Sequence, residues 1–223
     1  MFWMDEGYLL SKRSFDENSI IIETFTLKHG KYSGIVYGGS SRKYKKNFQI
    51  GNKIMLNMKA KSESKLGYFK VELIKPISPF FFDDKKKSIC ILSATTILTM
   101  LLPERQINKK IYDSFEKLLN KLNDKNWISF YIFWELSLIK ELGFGINFIN
   151  DSASKNKKKN SAVINGKFFE IPELIINKKI KDMTNLAIND ALIFNKNLLI
   201  ENFIIPNKLR FPLSRNILQE YYI

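Results

Sequence analysis

The run Lys53-Ile54-Met55-Leu56-Asn57-Met58-Lys59-Ala60-Lys61 decides the fold of the first third of the chain. Ile54, Leu56, Met58 and Ala60 fall on one face of an extended segment. Lys53, Asn57, Lys59 and Lys61 fall on the other, which is the two-residue period of a half-buried strand. The same period recurs around it. Tyr68–Ile74 places Phe69, Val71 and Leu73 inward with Lys70 and Glu72 outward, and Trp3–Leu10, Ser19–Thr26 and Tyr32–Gly38 are three further candidate strands. Turn residues separate the runs: Lys28-His29-Gly30-Lys31 is a tight link, and Gly38-Gly39-Ser40-Ser41 opens a loop. Five short strands within residues 1–80, with no helical pattern among them, predict a small closed barrel. The OB-fold is the commonest architecture of that size and strand count.

Past Pro76 and Pro79 the period changes. Ile89–Leu102 is apolar but shorter than the roughly 20 residues a membrane span needs, so it predicts a buried core helix. Ile111, Phe115, Leu118, Leu119 and Leu122 form one helical stripe. Trp127, Phe130, Tyr131, Trp134, Leu138 and Leu142 form another, and Ile132, Phe133, Leu136 and Ile139 fill much of its remaining face. A helix apolar nearly all round is central in its domain, and Gly143 is placed to end this one. Asn147–Gly166 is polar and rich in lysine (Lys155, Lys157, Lys158, Lys159), and predicts a basic flexible loop. Two weaker helical patterns follow near Thr184–Leu199 and Ser214–Tyr222. The expected class is α+β: an OB-fold barrel over residues 1–80, then a helical domain over residues 81–223 with the basic loop at 147–166.

Composition removes much of enzymology. The 223 residues hold one cysteine, Cys90, and one histidine, His29, too few for a disulfide framework or a Cys/His zinc site. No acidic constellation is spaced for a metal-dependent nuclease, and Gly38-Gly39-Ser40-Ser41 lacks the ending of a phosphate loop. His29 reads as a surface turn residue, Cys90 as a small core residue, and Asp83-Asp84 as a helix cap. Expected, therefore, are no catalysis, no metal and no cofactor. Met1–Leu10 carries Asp5 and Glu6 and lacks a signal-peptide layout, which predicts a cytoplasmic protein with no membrane partner.

The net charge of +14 points to a polyanion once it is discounted, because Lys, Ile and Asn rise together in genomes poor in G and C. The first 80 residues hold 14 Lys and Arg against 7 Asp and Glu. Their cations cluster at Lys12-Arg13, at Arg42, Lys43, Lys45 and Lys46, and along Lys59, Lys61 and Lys65, interleaved with Tyr37, Tyr44, Phe48 and Tyr68. Cations that track phosphates beside rings that stack on bases are what a single-strand groove requires. The eight cations other than Lys65 are the candidate DNA-binding residues.

Several stretches resemble the RecO recombination-mediator family. They are Glu6-Gly7-Tyr8-Leu9-Leu10-Ser11-Lys12-Arg13, Glu17-Asn18-Ser19-Ile20 and Thr24-Phe25-Thr26-Leu27-Lys28-His29-Gly30-Lys31. Tyr37-Gly38-Gly39-Ser40-Ser41-Arg42-Lys43 is similar to the family's loop between strands three and four. The helix Phe133-Trp134-Glu135-Leu136-Ser137-Leu138-Ile139-Lys140-Glu141-Leu142-Gly143-Phe144 is similar to its "F-E-L-x-L-L-x-x-L-G-[YF]" segment. The resemblance implies an OB-fold followed by a helical domain, binding of single- and double-stranded DNA, strand annealing, and help to RecA on DNA covered by single-strand-binding protein, with RecR as partner. It also implies contact with the C-terminal tail of single-strand-binding protein, for which Arg105, Trp134 and Lys140 are the candidate residues. Many members carry a cysteine-rich zinc module after that helix, whereas Asn147–Gly166 has no cysteine, so no zinc module is expected here. An RNA-binding OB module and a basic adaptor protein are the alternative readings.

Overall fold

The structure is a computed structural model describing residues 1–41, 44, 47–62, 66–145, 148–149 (backbone only), 161–177 and 183–223. It divides into two compact units, Met1–Tyr112 and Asp113–Ile223.

In the first unit, β1 (Phe2–Ser14), β2 (Ser19–Thr26), β3 (Gly30–Tyr37), β4 (Lys53–Lys59) and β5 (Gly67–Lys75) close a barrel in the order β1-β2-β3-β5-β4, with β1 pairing back to β4. The expected OB barrel is present. Ile54, Leu56, Met58 and Ala60 lie in its core with Trp3, Ile22, Tyr32, Phe48 and Phe69. β1 runs longer than its sequence pattern because a bulge between Leu9 and Ser11 shifts the register with β2, so Leu9 and Leu10 are both buried. Leu73, expected inward, is 37% exposed. At Gly34 the barrel is tight: a Cβ there would sit 2.5 Å from the Phe69 ring.

A 3-10 turn (Ser78–Phe81) leads to α1 (Lys85–Leu101), which packs against β1. Asp84 caps it as expected, its side chain accepting the Lys87 amide at 3.1 Å. Cys90 is buried on the core face. No described helix is long and apolar enough to cross a membrane. The connection from α1 to α2 (Lys109–Asn120) returns to the barrel, where Glu104 bridges Lys31 of β3. This places α1 in the compact unit of the barrel, although the sequence period changes near residue 80.

In the second unit, α3 (Trp127–Glu141) packs against α5 (Asn185–Leu199), with the short α4 (Glu173–Asn177) also against α5. A π-helical turn (Ile200–Ile204) and α6 (Leu213–Glu220) complete the helices. Gly143, with φ +98°, ends α3 as its sequence position predicts.

The loop expected over 147–166 needs correction. β6 (Phe148–Ile149), β7 (Ser161–Ile164) and β8 (Lys167–Glu170) form a three-stranded antiparallel sheet. The turn between β7 and β8 is Asn165-Gly166, at φ +48° and +78°. Asn-Gly between two short runs is the strongest local hairpin signal, and the surrounding Lys and Asn obscured it. Lys155, Lys157, Lys158 and Lys159 lie outside the described residues.

Across the helices runs one fully buried polar cluster. Arg215 of α6 donates from Nε to Glu135 Oε1 of α3 at 2.5 Å and from Nη2 to Oε2 at 3.1 Å, and Nη2 also reaches the Leu192 carbonyl at 2.8 Å. Tyr131 donates to Glu135 Oε1 at 2.7 Å, and Asn195 to Oε2 at 3.1 Å. A buried carboxylate is tolerated because its oxygens are met by a guanidinium, a phenol and an amide.

Candidate nucleic-acid interface

The barrel closes between β3 and β5 by one short parallel contact, Gly34 with Gly67 and Ile35 with Tyr68. Past it the two strands share no further ladder pairs, and a groove of about 730 Å³ is lined from both. Register builds its floor. On the outward face of the sheet Phe2 of β1 lies opposite Lys59 of β4, and Lys59 lies opposite Tyr68 of β5. Tyr68 stacks on Tyr37 at the end of β3, with ring centroids 4.9 Å apart and planes 17° from parallel. One row across three strands is thus ring, cation, ring, and Tyr37 of β3 stacks on its last ring. The next row carries Asn57 opposite Lys70, whose ammonium lies 3.8 Å from the Glu72 carboxylate, and Glu72 and Tyr44 also line the groove.

These rings are not core. Tyr37 is 64% exposed, Tyr68 40% and Phe2 71%. Exposed aromatics on a pleated sheet, set beside lysines, form a platform on which unpaired bases stack while cations meet the phosphates. A hydrogen bond with Tyr68 holds the Tyr37 hydroxyl above the ordinary tyrosine range, so Tyr37 stays neutral under physiological conditions. Phe48, grouped with these rings in the sequence, is a buried core residue instead.

The eight expected cations do not all meet in this groove. Lys59 lines it. Lys61 is exposed just after β4, and Arg13 is exposed near the end of β1; neither lines the groove. Lys12 donates from its ammonium to the Phe48 carbonyl at 2.5 Å, tying β1 to the chain before β4. Arg42, Lys43, Lys45 and Lys46 lie outside the described residues. Sequence reading missed Phe2, Asn57 and Lys70. The alternation that assigned Lys70 outward, applied in register to all four strands, is the signal that would have found them.

The expected partner residues are divided between the two compact units. Arg105 belongs to the barrel unit, where its guanidinium lies 4.9 Å over the Tyr32 ring. Trp134, in the second unit, is 3% exposed and packs against Phe115 and Tyr131. It also lines a cleft of about 190 Å³ with Lys117, Phe130, Phe133 and Ser137, and its Nε1 has no hydrogen-bond partner among the described residues. Lys140 is exposed on α3 but outside that cleft. Lys117 is the cation that lines the cleft.

His29 departs from its expected role as a plain surface turn. Its ring stacks on Trp3 at 4.1 Å, and its Nδ1 lies 2.9 Å from Oδ2 of the buried Asp5, which also accepts the Lys28 amide. The imidazole thereby anchors the β2–β3 turn to β1. No group of His, Cys, Asp and Glu among the described residues is arranged to hold a metal ion.

Comparison with known proteins agrees with this architecture. The family profile described as "Recombination protein O N terminal" matches residues 1–77, and "Recombination protein O C terminal" matches residues 83–189. The chain is 35% identical over 169 residues to the DNA repair protein RecO of Wolbachia sp. subsp. Drosophila simulans (strain wRi), covering 75% of this chain and 69% of that one. It is 35% identical over 169 residues to the protein of that name from Ehrlichia chaffeensis, covering 75% and 68%. To that of Cereibacter sphaeroides (strain ATCC 17029 / ATH 2.4.9) it is 36% identical over 148 residues, covering 66% and 61%. With the OB barrel in place and both family profiles matched along the chain, the protein belongs to the RecO family of DNA repair proteins.

Proposed function

We propose that this chain binds single- and double-stranded DNA through its barrel, anneals complementary strands, and helps RecA load on single-stranded DNA covered by single-strand-binding protein. The observation that carries the reading is the exposed row Phe2, Lys59, Tyr68 and Tyr37 in an open groove. Stacking is tolerant of sequence because every base has a π-face, which suits a protein that must act on any exposed strand. Annealing then needs no covalent chemistry: neutralised phosphates let two strands approach, so the chain acts by binding and not as an enzyme. Its place of action is the cytoplasm, with RecR as partner, as the family membership suggests.

The second unit supplies the parts for the tail of single-strand-binding protein. Phe130, Phe133 and Trp134 wall an apolar cleft with Lys117 beside them, and an acidic, apolar peptide end needs a slot of that kind with a cation near it.

The test is fluorescence anisotropy of the full chain with single-stranded DNA, duplex DNA and single-stranded RNA over a salt series. Expected are a log–log salt slope of several contacts at about −0.7 each on single strands, and faster annealing of complementary DNA. Tighter binding and faster annealing of RNA than of DNA would replace this reading with the RNA-binding one. Absence of nucleic-acid binding at low salt would leave only the adaptor.

A further inference from the structure

β2 occupies one edge of β3 along its whole length, so everything else that touches β3 by backbone pairing lies along the opposite edge. That edge meets three things in succession. Tyr37, at its end, borders the groove; Gly34 and Ile35 pair with β5; and Lys31, at its start, is bridged by Glu104, with the Arg105 amide donating to the Lys31 carbonyl at 2.8 Å. The α1–α2 connection therefore straps the same seam into which the groove opens. From Lys31 to Tyr37 is six residues, about 20 Å along the strand.

Arg105 sits on this strap in a conformation that an arginine rarely adopts, with φ +60°. Its guanidinium lies over the Tyr32 ring and makes no ion pair or hydrogen bond among the described residues. The adjacent Glu104 carboxylate is engaged by the Ser33 hydroxyl at 3.2 Å. The strap is seated closely: a Cβ at Gly30, which has φ +70°, would fall 2.1 Å from the Gln106 carbonyl oxygen. So the fold holds an exposed arginine in a left-handed conformation, with one face on an aromatic ring and its N–H donors turned to no acid. A sparsely populated backbone conformation that the surrounding contacts hold in place is found preferentially at functional positions. A guanidinium presented this way fits a phosphate oxygen pair.

We propose that Arg105 is a phosphate contact for single-stranded DNA, reached by the strand after it leaves the Tyr37–Tyr68 platform and follows the β3 seam. This rests on the DNA-binding reading above and extends its site by about 20 Å, within the reach of the roughly 4–16 nucleotides that an OB barrel engages.

The experiment is anisotropy of the full chain with labelled oligothymidylates of roughly four and roughly sixteen nucleotides, the ends of that range, over a salt series. It compares wild type with Arg105→Gly, Arg105→Asn and Arg105→Lys. On the longer strand, Arg105→Gly and Arg105→Asn are expected to reduce the salt slope by about 0.7, one phosphate on single-stranded DNA, and Arg105→Lys to restore it. Binding of the shorter strand should be unchanged. The thermal midpoint of Arg105→Gly should not fall, because glycine accepts the left-handed backbone without strain. An unchanged slope on the longer strand overturns the proposal while leaving the groove standing. Equal loss on both lengths, or a lowered midpoint in both Gly and Asn variants, also overturns it and makes Arg105 a structural residue. Wild-type protein that binds neither strand removes the DNA reading and this extension together.

Discussion

Replacing Tyr37 with Ala tests whether the exposed ring pair is a base platform or an ornament of the barrel surface. Tyr37 and Tyr68 cover each other on one face, so each offers its remaining face outward. Removing Tyr37 deletes one platform and frees Tyr68 from the stack that orients it. Base–aromatic stacking lost in this way corresponds to about 5- to 150-fold in affinity for single-stranded DNA. Because Tyr37 is 64% exposed, little core packing goes with it, and the unfolding transition should stay near that of wild type. The assay is anisotropy with an oligothymidylate over a salt series, and it separates the two halves of the mechanism. Tyr37→Ala should lower affinity at every salt concentration with an unchanged slope, whereas Lys59→Ala should reduce the slope by about 0.7. Tyr37→Phe, which keeps the ring and loses the hydroxyl bonded to Tyr68, should bind within a few-fold of wild type. Wild-type affinity in Tyr37→Ala, or equal losses in Ala and Phe variants, would refute the stacking argument.

Two further outcomes are expected of the fold. Arg215→Leu should destabilise the chain by about 3–5 kcal/mol, because Glu135 is left buried without its guanidinium; adding Glu135→Leu should recover most of that, read as urea midpoints of the single and double variants. Asp84→Ala should cost about 0.5–1 kcal/mol at neutral pH, the low side of a cap because this side chain is 41% exposed. Burial opposes ionisation of Asp84, but the Lys87 amide and ammonium win and hold its carboxyl below the usual range. A lowered carboxylate contributes its stability above the unfolded value near pH 3.9 and loses it as pH falls through the native one. The gap between wild type and Asp84→Ala in acid unfolding should therefore close below pH of about 4 and stay constant above it.

Much of this fold was legible because the first 80 residues obey a two-residue period on one face. Ile54, Leu56 and Met58 alternate with polar neighbours, and burial follows that alternation. The period failed where geometry left it. At Leu9 and Leu10 a bulge turns two successive residues inward, and at Leu73, still opposite Ile54 of β4, β5 no longer pairs with β3 and the side chain lines the open groove. The β7–β8 hairpin was hidden by composition: a run dense in Lys and Asn suggests solvent, and four-residue strands are too short to declare a period. Glu135 and Arg215 lie 80 residues apart, and no local pattern announces a pair at that separation. The hint was a single carboxylate inside a helix apolar nearly all round, which needs a partner from elsewhere in the domain.

Net charge is the feature that misleads most about the site, and register is the one that corrects it. Lys53 is spent on Glu6 at 2.9 Å, Lys12 on the Phe48 carbonyl and Lys31 on the Thr99 carbonyl at 2.8 Å. Each adds to the formal +14, yet Lys53 and Lys12 fasten one segment of the barrel to another and Lys31 fastens the barrel to α1. Lys59 is chemically the same residue, one pleat repeat beyond Asn57 on the same face, and it differs in what lies opposite: Phe2 on one side and Tyr68 on the other. Lys59, set between two exposed rings, makes no ion pair among the described residues and lines the open groove. On the proposed reading, the affinity of this surface for a polyanion is set by a few positions in one cross-strand row, and exchanging Lys59 with Asn57 would keep composition and net charge while moving the cation one row away. Weaker binding by that exchanged protein, at equal stability, is what separates a designed row from a merely basic barrel; equal binding would return the argument to charge alone.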